Sequence, residues 1–413
     1  MDQPLLLLNI VSIIILVVAV VLLAVVLRHL ARHRREIGEL RTTAERHEKE
    51  MREASVAEGG SDGEVAEAGG GAVGTDGSAA GADGAVGAPE RVQQVAVVLN
   101  PAKFDDAEQF RTRVREIAEH LEGAEVTFYE TSVEDPGRGQ ARQARLDGAD
   151  LVIAAGGDGT VRLVASVLAG TDTRMGIIPS GTGNLLARNL DIPLEDPSAA
   201  MTAALAGHDK QIDVGWLRTG GSIGEAASSA EQIFLVIAGF GADAEMIGHT
   251  DDTMKKRLGW VAYVFGGVRT ILGRSVDVVL DFPDGTRHAH KARTVLLGNV
   301  GKLPGGFVLM PDATADNGRL EIVVAGWKGA AGFSQVLTEV VTPQLVPRGR
   351  FAETTRLSSM DRYQATEVKV ATTKAQPVQL DGDTDAEATH LIARIDPASL
   401  RLRVPAGTDP TQP

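Results

Sequence analysis

Gly156-Gly157-Asp158-Gly159-Thr160 and Pro179-Ser180-Gly181-Thr182-Gly183-Asn184 are the two segments whose reading decides the fold. The apolar run 151–155 leads into the first, and the periodic Val161, Val164 and Leu168 lead out of it, so its glycines fall where a buried strand turns into a helix. Residues 175–178, 180–183 and 185–190 repeat the order of strand, loop and helix start. Such a turn suits a phosphate: glycine lets backbone N–H groups approach the anion closely, and the start of a helix adds a favourable dipole. Two such loops on neighbouring strands predict a nucleotide site.

Working outward, residues 95–99 and 125–130 read as strands, and 107–122 carries Phe110, Val114, Ile117 and Leu121 at helical spacing. Residues 138–146 read as a helix. Alternation of this kind predicts a parallel sheet with helices on its faces, and ligands then bind at the carboxyl ends of the strands. Asn100-Pro101, Thr131 and both glycine loops fall at such ends. Beyond residue 208 the pattern changes to short β segments, at 232–238, 275–282, 287–297, 320–324, 367–371, 378–380 and 390–395, with Pro283-Asp284-Gly285 as a hairpin turn. The expected architecture is an α/β nucleotide-binding domain at 91–208 followed by an all-β sandwich at 209–405, with helical insertions at 254–272 and 329–340.

Ahead of these lies a different kind of sequence. Residues 5–27 are almost continuously aliphatic, and as a helix would be about 34 Å long, enough to span a bilayer. Arg28, Arg32, Arg34 and Arg35 follow directly, which by the positive-inside rule predicts a single-pass protein of the cell membrane with the remainder of the chain in the cytoplasm. Residues 28–57 are charged, with Ile37, Leu40, Ala44 and Met51 at heptad-like spacing, the pattern of a juxtamembrane helix able to pair weakly in a homodimer. Residues 58–90, rich in Gly and Ala, cannot build a core and read as a disordered linker.

Composition removes several function classes. A net charge of −14 argues against a general nucleic-acid binder, because grip on a phosphate backbone needs a basic footprint. The chain has no cysteine, which excludes disulfides and thiolate chemistry. His120-Leu121-Glu122 has a His-x-Glu spacing but no cysteine pair to complete a deaminase-like zinc site.

Six segments then occur in a fixed order: Asn100-Pro101; Gly156 to Thr160; Pro179 to Asn184 with Ala187-Arg188; Gly239-Phe240-Gly241-Ala242-Asp243-Ala244; Pro311-Asp312-Ala313 with Gly318; and Leu380-Asp381-Gly382-Asp383. Over residues 92–405 the chain resembles the diacylglycerol kinase catalytic-domain family, which includes bacterial lipid kinases and sphingosine kinases. The resemblance implies ATP-dependent phosphorylation of a lipid hydroxyl in a cleft between the two domains, with diacylglycerol as the expected acceptor and a bilayer as the substrate's source. It implies that Asn100, Thr131, Gly157, Asp158, Gly159, Thr160, Thr182 and Asn184 surround ATP, and Pro101, Lys103, Gly156 and Gly181 beside them are further candidate ATP-binding residues. No Walker A pattern is present, so backbone amides and Mg²⁺ must hold the phosphates without a P-loop lysine.

Transfer to an alcohol needs charge neutralisation at the phosphates and a base near the attacking oxygen. Asp158, beside the phosphate loop, is expected at Mg²⁺. Asp383 is expected as the base, with Asp381 orienting it or binding metal; the sphingosine-kinase branch implies the loop aspartate Asp158 as base instead. Three departures from the family pattern stand out. Asn100-Pro101 continues into Ala102-Lys103-Phe104, where Lys103 either offers a cation or stands exposed; Asn184 is followed by Leu185-Leu186; and Asn317 occupies the place of an aspartate that holds a structural Mg²⁺ in some relatives, with Asp316 as a possible substitute ligand. The 255–272 segment, basic at its start and apolar along one side, fits a core helix or a lipid-facing one equally. An NAD kinase, a kinase of another lipid, or a silent nucleotide or lipid sensor are the alternatives.

Overall fold

Four short strands form the first half: β1 (Gln94–Leu99), β2 (Glu125–Glu130), β3 (Leu151–Gly156) and β4 (Arg174–Pro179). The computed structural model describes residues 94–121, 123–240, 275–303, 307–328 and 358–406, with Gly332 and Val336 in addition. β3 and β4 are buried along their whole length, as expected of parallel strands covered by helices on both faces. All pairings are parallel, in the order β2-β1-β3-β4.

Helices cover this sheet for local reasons. Ala107–Leu121 buries Phe110, Val114 and Ala118, one turn apart on a single stripe. Pro197–Ala206 starts at Asp196, whose side chain accepts from the N–H groups of Ser198 and Ala199, with Pro197 where its missing N–H costs nothing. Arg138–Leu146, Asp158–Leu168 and Leu185–Asn189 complete the helices of this half.

The second half adds β5 (His208–Gly220), β6 (Gln232–Phe234), β7 (Ile237–Phe240), β8 (Val276–Asp281), β9 (Arg287–Ala292), β10 (Thr294–Gly298), β11 (Lys302–Leu303), β12 (Phe307–Val308), β13 (Leu320–Trp327), β14 (Ser358–Ala365), β15 (Glu367–Leu380) and β16 (Asp383–Val404). Its pairings are antiparallel, apart from one. The long β16 runs beside β15 and β5, and at its far end Leu402 joins β4 at Met175 in parallel. One strand therefore ties the two halves into a continuous sheet of 14 strands. Val278, Leu280, Val295, Leu297, Ile322, Val370 and Leu391 fill the sandwich core, while Ile212, Leu235, Val236, Leu400 and Leu402 belong to the core of the α/β half. The expected α/β domain plus β sandwich is the fold observed.

Several details differ from the sequence reading. β5, thirteen residues long, was not expected, because only its middle is apolar and buried. The run 287–297 is two strands, broken at Arg293, whose N–H and Nε turn to carbonyls of Ala325 and Trp327. The run 232–238 is likewise two, bent at Leu235 and Val236.

The expectation of a single-pass protein anchored in the cell membrane is corrected. Among the described residues no helix is long and apolar enough to cross a membrane. The segment 5–27 on which that expectation rested lies outside the described residues, as do the juxtamembrane and linker segments at 28–90 and the 254–272 insertion. Of the 329–340 insertion only Gly332 and Val336 are described, and both are helical.

Candidate active site

The carboxyl ends of β2, β1, β3 and β4 lie side by side. Asn100 N–H donates to the carbonyl of Ala155, Thr131 N–H to that of Leu99, and Ser180 N–H to that of Gly156. Asn100, Thr131, the Gly156 loop and the Ser180 loop are thereby brought to one edge, as the alternating pattern predicted. Asn100 also accepts from Ala102 N–H through Oδ1 and so caps the short turn Pro101–Lys103, at whose end Lys103 is exposed.

The two glycine loops pack directly on each other. A Cβ at Gly181 would lie 2.8 Å from the Cα of Gly157, so the second loop has no room for a side chain at the contact. Asp158 locks them: its carboxylate accepts from the N–H groups of Asn184 at 2.8 Å and Leu185 at 2.6 Å, serving as the missing cap of the Leu185–Asn189 helix. Asn184 adopts the left-handed conformation, φ 48°, which asparagine tolerates better than most residues. Its side chain closes the loop, accepting from Gly181 N–H and donating to the Gly181 carbonyl. Burial pushes the Asp158 carboxyl above the usual carboxylate range, against the pull of the Leu185 and Asn184 amides, and nearby Asp383 adds to the rise.

The Asp158–Leu168 helix begins at Gly157 with no side-chain cap. An uncapped helix start beside a side-chain-free contact is what a phosphate group needs. Ser180 Oγ, in the second loop, is buried with no hydrogen-bond partner, a polar atom suited to a ligand. These observations fit a nucleotide on the loops. A cation would find the Asp158 carboxylate here, with the charge of Asp383 close enough to act on it. Mg²⁺ asks for no more than one or two carboxylates alongside substrate phosphates, and no group of three or more metal-ligating side chains occurs among the described residues.

The sandwich half reaches this site through one hairpin. Leu380 and Asp383 pair across the turn Asp381-Gly382, whose φ values of 51° and 96° are those of a two-residue hairpin loop matched to strand twist. Asp381 points inward. It is buried and accepts from the N–H groups of Leu235 (2.8 Å), Val236 (2.8 Å) and Ile237 (3.0 Å), which fixes the bend between β6 and β7. Burial pushes its carboxyl up to about 6, opposed by the Leu235 and Val236 amides and by Arg162. Asn299 holds the same bend from behind, donating to the carbonyls of Asp213 and Leu235.

Asp383, by contrast, is exposed, and a Cβ at Gly159 would lie 3.2 Å from its Oδ2. It thus faces the phosphate loop from the opposite half. Arg162, one turn into the helix, holds that oxygen at 2.9 Å. Sequence reading did not single out Arg162, whose spacing on the helix resembles that of a solvated face, nor Ser180 as a site residue.

The residues expected at a structural Mg²⁺ belong to a separate turn. Asp316 is ion-paired to Lys210 at 2.8 Å, and Asn317 accepts from Arg319 N–H and donates to the Asp312 carbonyl. Gly318 N–H donates to the buried Asp213.

Comparison with known proteins agrees with this layout. Residues 94–217 match the family model described as diacylglycerol kinase catalytic domain, and 236–404 match the model described as YegS C-terminal NAD kinase beta sandwich-like domain. The diacylglycerol kinase of Bacillus subtilis (strain 168) is 27% identical over 71% of this chain and 90% of its own length. The Chromohalobacter salexigens protein named "Probable lipid kinase YegS-like" is 30% identical over 74% of this chain and 91% of its own. A crystal structure of a diacylglycerol kinase from Bacillus anthracis str. Sterne shares the fold, with a TM-score of 0.59 at 21% identity over 78% of this chain and all of that one. The chain belongs to the diacylglycerol kinase catalytic-domain family of lipid kinases, with a YegS-type sandwich as its second half.

Proposed function

We propose that the protein transfers the γ-phosphoryl group of ATP to the hydroxyl of a membrane lipid, with diacylglycerol as acceptor and phosphatidic acid as product. The observation that carries this reading is the position of Asp383, an exposed carboxylate of the sandwich half set against Gly159 at the uncapped start of the phosphate-loop helix. The names of the relatives from Bacillus subtilis and Chromohalobacter salexigens support a lipid acceptor.

When bound, Mg²⁺·ATP supplies the phosphoryl group and the cation that neutralises it. The chain's own part is binding, placement and proton transfer. Backbone amides at Gly157 to Thr160, with Ser180 Oγ and the Gly181 loop, receive phosphate oxygens, and the ends of β1 and β2 at Asn100 and Thr131 border the nucleotide. Lys103, exposed beside Asn100, adds positive charge at the rim. Asp158 keeps the two loops in register and, with its remaining lone pairs, is placed to hold the cation directly or through water. Asp383 takes the proton of the acceptor hydroxyl as the new O–P bond forms and the bond from the γ-phosphorus to the β,γ-bridging oxygen breaks, with ADP as the leaving group, and Asp381 fixes the hairpin that presents the base.

The test is incubation of the full chain with labelled ATP in mixed micelles containing diacylglycerol, ceramide, sphingosine or phosphatidylinositol in turn, and with NAD in solution. Label is expected in the diacylglycerol product at the highest kcat/KM. Label in NAD alone, or in none of the acceptors, contradicts the proposal.

A further inference from the structure

Arg162 stands where the two halves meet, and its guanidinium is only partly used. Side chains of a helix lean toward its N-terminus, so from the second turn Arg162 reaches back over Asp158 and Gly159 toward the phosphate loop. Its Nη2 donates to Oδ2 of Asp383 at 2.9 Å, and its side chain is only 14% exposed while that of Asp383 is 59% exposed. The buried Nε of Arg162 has no hydrogen-bond partner. A buried donor of a charged group left unpaired is costly, and its presence asks for an acceptor.

The surroundings say what kind of acceptor that is. Asp158, Asp381 and Asp383 lie within electrostatic reach: Asp383 acts on Asp158, and Arg162 acts on Asp381. Arg162 is the cation that the described ion pairs bring to this acidic group. Arginine presents five N–H donors in a planar fork, so engaging one carboxylate oxygen through Nη2 leaves donors, the adjacent Nε–H among them, for a second oxyanion. The Gly157–Gly181 contact and the buried, unpartnered Ser180 Oγ belong to the same loops.

We propose that Arg162 binds the terminal phosphate of the nucleotide through its unpartnered Nε–H while the adjacent Nη2 positions Asp383, so that one guanidinium aligns the transferring group and the base. The inference rests on the nucleotide and base assignments made above. It makes Arg162 a phosphate-binding residue with a positioning role.

The experiment compares binding of AMP-PNP and of AMP, each with Mg²⁺, to the full-length wild type, Arg162→Gln and Asp383→Asn by titration calorimetry. Arg162→Gln is expected to weaken AMP-PNP by about 10-fold or more, the scale of a charge-assisted hydrogen bond, and to leave AMP unchanged. Asp383→Asn is expected to retain AMP-PNP affinity, because it removes the base and keeps the phosphate contact. Equal losses for both nucleotides in Arg162→Gln, or no loss in either, overturn the proposal. Should Arg162→Gln fail to fold, the wild type carries the test by NMR: the Nε–H resonance that is missing from Arg162→Lys moves on adding AMP-PNP and not on adding AMP. An Nε–H resonance that responds to neither nucleotide, or to both alike, overturns the assignment. Wild-type protein that binds AMP-PNP through Arg162 yet labels no lipid sinks the lipid-kinase reading and leaves this inference standing, whereas wild-type protein that binds neither nucleotide sinks both.

Discussion

Asp158 Oδ1 accepts the N–H of Leu185 at 2.6 Å, so the carboxylate that begins one phosphate loop caps the helix that follows the other. Together with Asn184 N–H on Oδ2, this makes Asp158 a structural tie as well as a site residue. Asp158→Ala strands two buried amides and should cost about 3 kcal/mol, with Asp158→Asn costing roughly half because one acceptor oxygen remains. Chemical denaturation of the three proteins measures it. Equal stability would show that the loops do not depend on this tie.

How much of this was legible in the sequence depends on the range of the interaction. β1, β3 and β4 are buried on both faces, so they appear as unbroken apolar runs that need no partner to be recognised. The glycine loops were readable for the same reason: their constraint is local. Asp381 looks like part of a solvated Asp-Gly turn, and its partners Leu235 to Ile237 lie about 145 residues earlier in the chain, so its inward orientation is set by folding alone. Arg162 acquires its meaning only when the β15–β16 hairpin delivers Asp383 from 221 residues away. β5 escaped notice because its ends, His208-Asp209-Lys210-Gln211 and Arg218-Thr219-Gly220, are polar, and length here comes from pairing with β16 rather than from pattern.

The contact between Gly157 and Gly181 should tolerate no carbon added at Gly181. In Gly181→Ala the new Cβ meets the Gly157 Cα at 2.8 Å, and that backbone atom moves only with its loop. The expected result is ATP binding weakened about 10-fold, or roughly 1.4 kcal/mol, with the melting temperature little changed because the loops lie at the edge of the core. Calorimetric titration with an ATP analogue measures it; unchanged affinity would mean that the loops do not bear the phosphates.

Asp381 predicts a pH dependence. Its folded pKa of about 6 lies above the ordinary carboxylate value, so the folded state holds the proton more tightly than the unfolded chain. The stabilisation is fully present below pH about 4 and is lost as pH rises through about 6, with a total of at most roughly 3 kcal/mol for two pKa units. The difference in unfolding free energy between wild type and Asp381→Asn should therefore shift in favour of the wild type as pH falls from 7 to 4. Parallel pH profiles for the two proteins would contradict it.

Asp383 carries the central claim, and the most direct measurement is the rate of label transfer from ATP to diacylglycerol by the wild type and by Asp383→Asn, with ATP-analogue binding measured on both. The account predicts that the variant binds nucleotide and loses about 100-fold or more in kcat, the scale of a lost general base. Full turnover by Asp383→Asn would contradict it.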